Sequence, residues 1–281
     1  MKRASALAPL AALAGILAAC NGTTGDALVT FPAYASGAAG AGEPFVVNGF
    51  SVQLTSASMR IGAVYIDQSP LASGAEGPTC IDPGVYAAQV PGGVEVDLLS
   101  PAPQEFSVLG NGTADLGLSW QLWLTDGDIN ETNVAHMVDL QGVATRLSDG
   151  STYSFGAIVT INANRQIPTS DPSQPGLNPI CKQRIIQIGG IAVTPAPNEA
   201  LYVTVDPRTW FNLGIDFSTL PLATSATCQG VDPDPDFGPA HYCIPDTNFA
   251  LGLGASQGQL LFSGIRAGGS SAYSIAFAKP Q

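Results

Sequence analysis

Three oxygen-bearing side chains at alternate positions form the clearest spacing that could bind a metal ion. Asp126, Asp128 and Asn130 offer carboxylate and amide oxygens, which are the ligands that calcium prefers. The later positions do not continue the pattern, because Glu131 stands where a tight turn needs glycine and Met137 where a bidentate glutamate is needed. Calcium binding here is therefore an alternative to a polar turn that satisfies its own backbone.

A second acidic cluster, Asp232, Asp234 and Asp236, has a proline between successive carboxylates. Proline restricts the backbone to extended conformations, which hinders wrapping around an ion. The cluster is thus more typical of a solvated acidic loop than of a cation site.

The two histidines give little material for transition-metal or acid–base chemistry. His136 shares its strand face with Val138 and Leu140, which predicts a partly buried histidine with a local partner. His241 lies close to Cys243 in an irregular segment. A copper or zinc site would need the fold to bring both histidines together, so a metal-handling protein remains an alternative function.

Residues 254–258 match the G-x-S-x-G pattern of a serine nucleophile. That pattern needs a helix after it and a histidine later in the chain. No histidine follows Ser256, and residues 259–264 have the composition of a strand, which favours a glycine-rich turn between two strands. A carbohydrate-active hydrolase using paired carboxylates stays an alternative function, with Trp123 as the candidate for sugar contact, but no catalytic residue is marked.

The elements that position these groups are predicted to be strands. Residues 116–124 alternate between apolar and polar positions, which predicts a half-buried antiparallel strand with Trp123 on its polar face. Between residues 52 and 61 the apolar positions change parity, which predicts a bulge or bend near residues 55–57. About ten to twelve such strands, joined by Gly- and Pro-rich turns, predict an all-β protein with little helix: an antiparallel β-sandwich of the jelly-roll or immunoglobulin-like kind.

Residues 43–281 are expected to form a single body with two long loops. Residues 165–181 contain four prolines and almost no apolar periodicity, and residues 224–245 are similarly irregular. Function on β scaffolds tends to lie in loops, so these two segments are the expected contact surfaces.

The N-terminal segment indicates export. Lys2 and Arg3 precede an apolar run that ends in Leu-Ala-Ala-Cys at residues 17–20, and this ending resembles a bacterial lipobox. The resemblance implies a signal peptide over residues 1–19, acylation of Cys20, and attachment to the membrane through acyl chains. It also implies the cell envelope, on the periplasmic or cell-surface side, with the outer membrane favoured. Residues 20–42, rich in Gly, Ala and Thr, are expected to be a flexible spacer.

Charge and cysteine content agree with this location. Loss of Lys2 and Arg3 would take the formal charge from −12 to −14, which argues against nucleic acid as a partner. Four cysteines remain besides Cys20, and an even number in an exported protein predicts two disulfides. Cys228 with Cys243 is the preferred pair, because it closes a short loop, and Cys80 with Cys181 would then be the other.

Together these patterns predict a lipid-anchored envelope protein with a non-enzymatic role in binding, adhesion or structural support. Its ligand in the envelope or outside the cell is not identified by the residues. No cofactor is indicated beyond the calcium alternative.

Overall fold

Strands dominate the protein, and the predicted all-β, sandwich-like fold is confirmed. A computed structural model describes residues 28–69, 86–124, 135–161, 185–225, 228, 241–246 and 257–280. Within these residues the chain forms sixteen strands, more than the ten to twelve expected, because several short strands carry too few residues to show alternation. No helix among them is long and apolar enough to cross a bilayer.

The strands and helices follow one another in this order. The strands are β1 Leu28–Phe31, β2 Ala33–Gly37, β3 Phe45–Val47, β4 Phe50–Ile61, β5 Ala63–Asp67, β6 Tyr86–Val90, β7 Val94–Asp97, β8 Gln104–Glu105, β9 Gly110–Thr113, β10 Gly117–Trp123, β11 Ala135–Arg146, β12 Thr152–Ile161, β13 Ile185–Val193, β14 Ala200–Val205, β15 His241–Ile244 and β16 Tyr273–Ala278. The helices of the described residues are two 3₁₀ helices, Pro207–Leu213 and Phe217–Thr219, and two α-helices, α1 Gln257–Ala267 and α2 Gly269–Ala272.

Three sheets contain these strands. The first has six strands in the order β1-β9-β6-β5-β10-β13, the second has the order β15-β12-β11-β4-β3 with β7 also paired to β4, and the third has the order β16-β14-β2-β8. Pairing is antiparallel as expected, except that β12–β15 and β14–β2 are parallel. Both parallel pairs join strands far apart in sequence, which leaves room for the long connection that parallel pairing needs.

One continuous hydrophobic core takes side chains from all three sheets and from α1. The parity change predicted in β4 appears as a register shift that skips Thr55, since Leu54 lies opposite Gly142 and Ser56 opposite Gln141. The bulge keeps both Leu54 and Met59 buried, although they fall on opposite parities of the sequence.

The expected flexible spacer over residues 20–42 is wrong for its C-terminal part. β1 and β2 are strands of the first and third sheets, and Phe31, Ala33 and Ala35 are each only 1% exposed. Small residues suit this stretch because it is packed between neighbours: a Cβ on Gly37 would collide with the carbonyl oxygen of Leu98. Residues 20–27 lie outside the described residues.

The segment after the G-x-S-x-G pattern is a helix, so its interpretation as a strand is wrong. Leu261, Phe262 and Ile265 are buried on one side of α1, and their spacing is helical. Gly264 brings α1 against the first 3₁₀ helix, where a Cβ would collide with the carbonyl oxygen of Trp210. Ser256 itself lies outside the described residues.

The second expected loop, residues 224–245, is also corrected at its end. His241–Ile244 forms β15, which is buried and runs parallel to β12. Cys243 and Ile244 in β15 are almost fully inaccessible, which explains an apolar pair at the end of an otherwise polar segment. The other loop, residues 165–181, lies outside the described residues.

Candidate binding sites

Polar and aromatic side chains gather on one face of the first sheet, here called the polar face. Residues directly opposite one another on paired strands share a face. Tyr65 of β5 lies opposite Gln121 of β10 and Gln89 of β6, and Asp67 lies opposite Ser119. The polar face consists of Tyr65, Asp67, Tyr86, Gln89, Ser119, Gln121 and Trp123.

Hydrogen bonds join the central members of the polar face to one another. Trp123 Nε1 donates to Gln121 Oε1 at 3.1 Å, and Gln121 Nε2 donates to Asp67 Oδ2 at 3.3 Å. These three side chains are only 3%, 0% and 5% exposed, respectively. Both faces of β10 are therefore buried, and its prediction as a half-buried strand is wrong, because polar groups that bond one another can be buried too.

Aromatic packing continues this face towards β6. The Tyr65 ring lies 5.2 Å from Trp123 and 5.0 Å from Tyr86, measured between ring centroids. Partial burial raises the pKa of the Tyr65 hydroxyl above its usual value. Because Trp123 is covered, it does not provide the exposed sugar-contacting surface that its position on a polar strand face suggested.

The predicted disulfide between Cys228 and Cys243 is confirmed, with Cα atoms 5.9 Å apart. The disulfide holds residue 228 against β15, which is the edge strand of the second sheet next to β12. Nearby, the backbone N–H and the hydroxyl of Thr160 both donate to the carboxylate of Asp246. These bonds fasten the chain that leaves β15 to the neighbouring strand β12.

The histidines lie apart, which excludes a metal site that uses both. His136 lies opposite Thr160, while His241 lies beside Ser154, six residues away along β12. At the usual rise per residue, that separation is about 20 Å. A copper or zinc site formed by the two histidines is therefore wrong for this fold.

His136 is exposed rather than partly buried, so that prediction is also corrected. A register shift between His136 and Val138 breaks the alternation and turns His136 outward. His136 Nδ1 lies 3.3 Å from a carboxylate oxygen of Asp139. Partial burial raises the pKa of Asp139, and His136 and Arg60 oppose that shift.

Several sequence candidates lie outside the described residues and remain predictions. They are Cys20, Cys80, Cys181, Asp126, Asp128, Asn130, Asp232, Asp234 and Asp236. In the part of the chain that the structure describes, no group of three or more His, Cys, Asp or Glu side chains could hold a metal ion.

An open cleft of about 640 Å³ lies where three distant segments of the chain meet. The segments are the β3–β4 turn, the β11–β12 turn and the chain that leads into the second 3₁₀ helix. The lining, here called the Arg146 cleft, consists of Asn48, Gly49, Phe50, Arg146, Leu147, Ser148, Asp216 and Ser218. Its volume lies within the range of small-molecule sites.

Local turn chemistry fixes the walls of this cleft. Asn48 and Gly49 both have positive φ angles, 46° and 79°, as the Asn-Gly pair of a tight hairpin does. The Asn48 side chain donates to the carbonyl oxygens of Gly214 and Ile215, at 3.2 and 3.1 Å. The backbone N–H of Leu147 donates to the carbonyl oxygen of Gly49 at 2.9 Å, so all three segments are joined.

Arg146 supplies the positive charge of the cleft. Its guanidinium lies 5.4 Å from the ring centroid of Tyr153 and 5.7 Å from that of Phe50. Nη1 donates to Asp149 Oδ2 at 3.1 Å, and this bond is the main cause that raises the pKa of Arg146. The pKa of Asp149 is lowered, chiefly because it accepts hydrogen bonds from Ser151.

Asp216 supplies a negative charge to the same cleft. Its Oδ1 accepts from the backbone N–H of Ser218 at 3.0 Å and from the Ser218 hydroxyl at 2.6 Å, which caps the second 3₁₀ helix. Among the described residues, Oδ2 accepts no hydrogen bond, and Arg146 and Asp216 form no ion pair with each other. The cleft thus presents a guanidinium bonded to Asp149 through Nη1 and a carboxylate with one oxygen that accepts no hydrogen bond from the described residues.

The sequence contains only partial signals of this site. The Asn-Gly pair at residues 48–49 is typical of a hairpin turn, and Asp149-Gly150 marks the other turn. Neither signal shows that the two turns meet, because Asn48 is 166 residues away from its partner Gly214.

Comparisons of the chain with protein-family models, with curated proteins and with solved structures found no match.

Proposed function

We propose that this protein is a lipid-anchored protein of the bacterial cell envelope with a non-enzymatic binding role, and that the Arg146 cleft is its binding site. The lipobox-like residues 17–20 support the anchor, and the membrane is the partner that its acyl chains would contact. Stable attachment needs more than one acyl chain, which agrees with the acylation that the resemblance implies.

The position of β1 limits the reach of the proposed tether. β1 begins at Leu28, so only residues 21–27 separate it from Cys20. Seven extended residues span at most about 24 Å. The body would thus be held close to the bilayer surface rather than on the long spacer that residues 20–42 suggested.

The single observation that carries the binding role is the Arg146 guanidinium in an open cleft, where most of its donors make no bond to the described residues. Arginine keeps its proton at all physiological pH values, so it can bind an anionic group but is unsuited to proton transfer. Among the described residues that line the cleft, no histidine, cysteine or lysine accompanies Arg146 and Asp216. This set favours binding over acid–base or nucleophilic catalysis.

Substitution of Cys20 tests the anchor. In a bacterial host with lipoprotein processing, Cys20→Ser should abolish labelling with radioactive palmitate and move the protein out of the detergent-extractable membrane fraction. Asn21→Ala, a neighbouring change that keeps the thiol, is the control and should be labelled and retained like the wild type. Full membrane retention and normal processing of Cys20→Ser would show that the anchor is wrong.

A further inference from the structure

We propose that the Arg146 cleft binds a free α-amino acid with an apolar side chain, with its carboxylate on Arg146 and its ammonium group on Asp216. This proposal names the ligand class and rests on the binding role proposed for the same cleft. Three properties of the lining lead to it: the unused donors of Arg146, the separate positive and negative charges, and the apolar side chains of Leu147 and Phe50.

The carboxylate partner is the guanidinium of Arg146. A guanidinium has five N–H donors in a planar fork that matches a carboxylate, and only one bond, to Asp149, is made among the described residues. The rings of Tyr153 and Phe50 beside the guanidinium restrict its motion. A donor held in place before the ligand arrives loses less conformational entropy on binding.

The ammonium partner is Asp216. Its Oδ1 is committed to capping the second 3₁₀ helix through Ser218, while Oδ2 remains available. Asp216 is held by this cap, and it acts on Arg146 through space, where it contributes to the raised pKa of Arg146 without forming an ion pair with it. A ligand with both charges can pair with each of them.

The charge balance separates a zwitterion from a simple ion. Arg146 contributes one positive charge, whereas Asp149 and Asp216 contribute two negative charges, in a protein whose formal charge is −12. A ligand that carries only a carboxylate meets repulsion from both aspartates, and one that carries only an ammonium pairs with Asp216 but leaves the remaining donors of Arg146 unused. An α-amino acid has no net charge and complements Arg146 and Asp216 together.

The apolar part of the lining predicts the kind of side chain. Leu147 is 58% exposed at the rim, and Phe50 lines the cleft. An aliphatic ligand side chain would cover part of Leu147, and burial of apolar surface is favourable. Ser148 and Asn48 add polar groups at the edge, as is usual for the rim of a small-molecule site.

Three probes of nearly equal shape test the charge requirement. Isothermal titration calorimetry of the detergent-solubilised full chain would compare L-leucine with 4-methylpentanoate, which lacks the ammonium, and with 3-methylbutylamine, which lacks the carboxylate. L-leucine should bind, and each analogue should bind at least about tenfold more weakly, since each leaves one charge unpaired. No binding of L-leucine, or equal binding of either analogue, would overturn the proposal.

Matched variants then locate the site. Arg146→Gln and Asp216→Asn should each weaken L-leucine binding at least about tenfold, and asparagine preserves the helix cap at position 216. Arg60→Gln removes an exposed cation outside the cleft and should bind L-leucine like the wild type. Unchanged binding in both cleft variants, with unfolding curves like that of the wild type, would place the ligand elsewhere and refute the proposal.

The L-leucine binding experiment and the Cys20→Ser experiment test the two proposals independently of each other. If L-leucine fails to bind while Cys20→Ser still releases the protein from membranes, only the ligand assignment is wrong. If Cys20→Ser is processed normally and stays membrane-bound, while L-leucine binds the wild type and binds Arg146→Gln at least about tenfold more weakly, the anchor is wrong and the ligand assignment is supported.

Discussion

The polar face and the Arg146 cleft contain similar side chains in opposite situations. On the polar face, Asp67, Gln121 and Trp123 bond one another and are at most 5% exposed. In the cleft, Arg146 uses one donor and Asp216 one oxygen in bonds to the described residues, and both side chains line the open cleft. Both regions would be described from the sequence as polar positions next to aromatic ones.

The difference shows that residue type alone does not identify a binding site in this protein. A polar group whose bonds are made internally stabilises the fold, since a buried partner without its bond costs free energy. A polar group held in place but only partly used can bind a ligand without first breaking internal bonds. Trp123, the sequence candidate for a ligand surface, belongs to the first kind.

The largest effect is expected from Gln121→Leu on the polar face. Leucine removes both the acceptor for Trp123 Nε1 and the donor to Asp67, so the free energy of unfolding should fall by about 2–4 kcal/mol. Gln53→Leu on β4 is the matched control, because Gln53 is exposed and the change should stay within about 0.5 kcal/mol. Urea denaturation measures both, and equal effects would contradict a closed network on the polar face.

A smaller effect is expected from Trp123→Phe. Phenylalanine keeps an aromatic ring beside Tyr65 but loses the hydrogen bond to Gln121 and some volume, which should cost about 1–2 kcal/mol. Combined with Gln121→Leu, the loss should be less than the sum, because both changes break the same bond. Strict additivity in urea denaturation would indicate that the two side chains act independently.

A pH-dependent effect is expected from Asp139→Asn at the half-exposed pair with His136. The pKa of Asp139 is raised above 3.8 in the folded protein, chiefly by burial. The folded state therefore holds the Asp139 proton more tightly than the unfolded state does. The stability of the wild type should fall as the pH rises from about 3.8 through the higher pKa of the folded state. From about pH 3 to pH 7, the stability difference between the Asp139→Asn variant and the wild type should shift towards the variant.

Unfolding curves measured at closely spaced pH values would test this expectation. Glu95→Gln is a useful comparison, because Glu95 also raises the pKa of Asp139 but contributes less than burial does. A stability difference for Asp139→Asn that is independent of pH would contradict the assigned cause.

The smallest effect on stability is expected from Arg146→Gln. The side chain is at the surface and its ion pair with Asp149 is exposed, so the urea midpoint should hardly change. Binding of L-leucine should nevertheless weaken at least about tenfold. This is the reverse of Gln121→Leu, where stability falls and the cleft is unchanged. A large loss of stability in Arg146→Gln would mean that the cleft, like the polar face, is mainly structural.

Local patterns in the sequence were sufficient for much of the fold. The parity change in β4 predicted the bulge at Thr55, and the short separation of Cys228 and Cys243 predicted their disulfide. These features depend on neighbouring residues, so a single stretch of sequence contains them. The prediction of a flexible spacer failed at residues 33–37, because their small Gly and Ala side chains show little alternation between apolar and polar positions. These residues form the buried strand β2.

Other features depend on contacts that no local pattern records. Residues 260–262 are apolar at consecutive positions, and they belong to the helix α1, which packs against the first 3₁₀ helix. The outward turn of His136 follows from a register shift between two strands. The Arg146 cleft combines three segments separated by more than sixty residues each, which only the folded chain brings together.

The edge position of β1 has a mechanical consequence if the chain is anchored through Cys20. In the part of the chain that the structure describes, β1 pairs on one side only, with β9, through four opposed residue pairs from Leu28 to Phe31. A pull on the anchor along the axis of β1 would load all four pairs in shear at once, rather than opening them one by one. Beyond them, β2 lies inside the third sheet between β14 and β8, so tension that frees β1 would next meet a strand clamped on both sides.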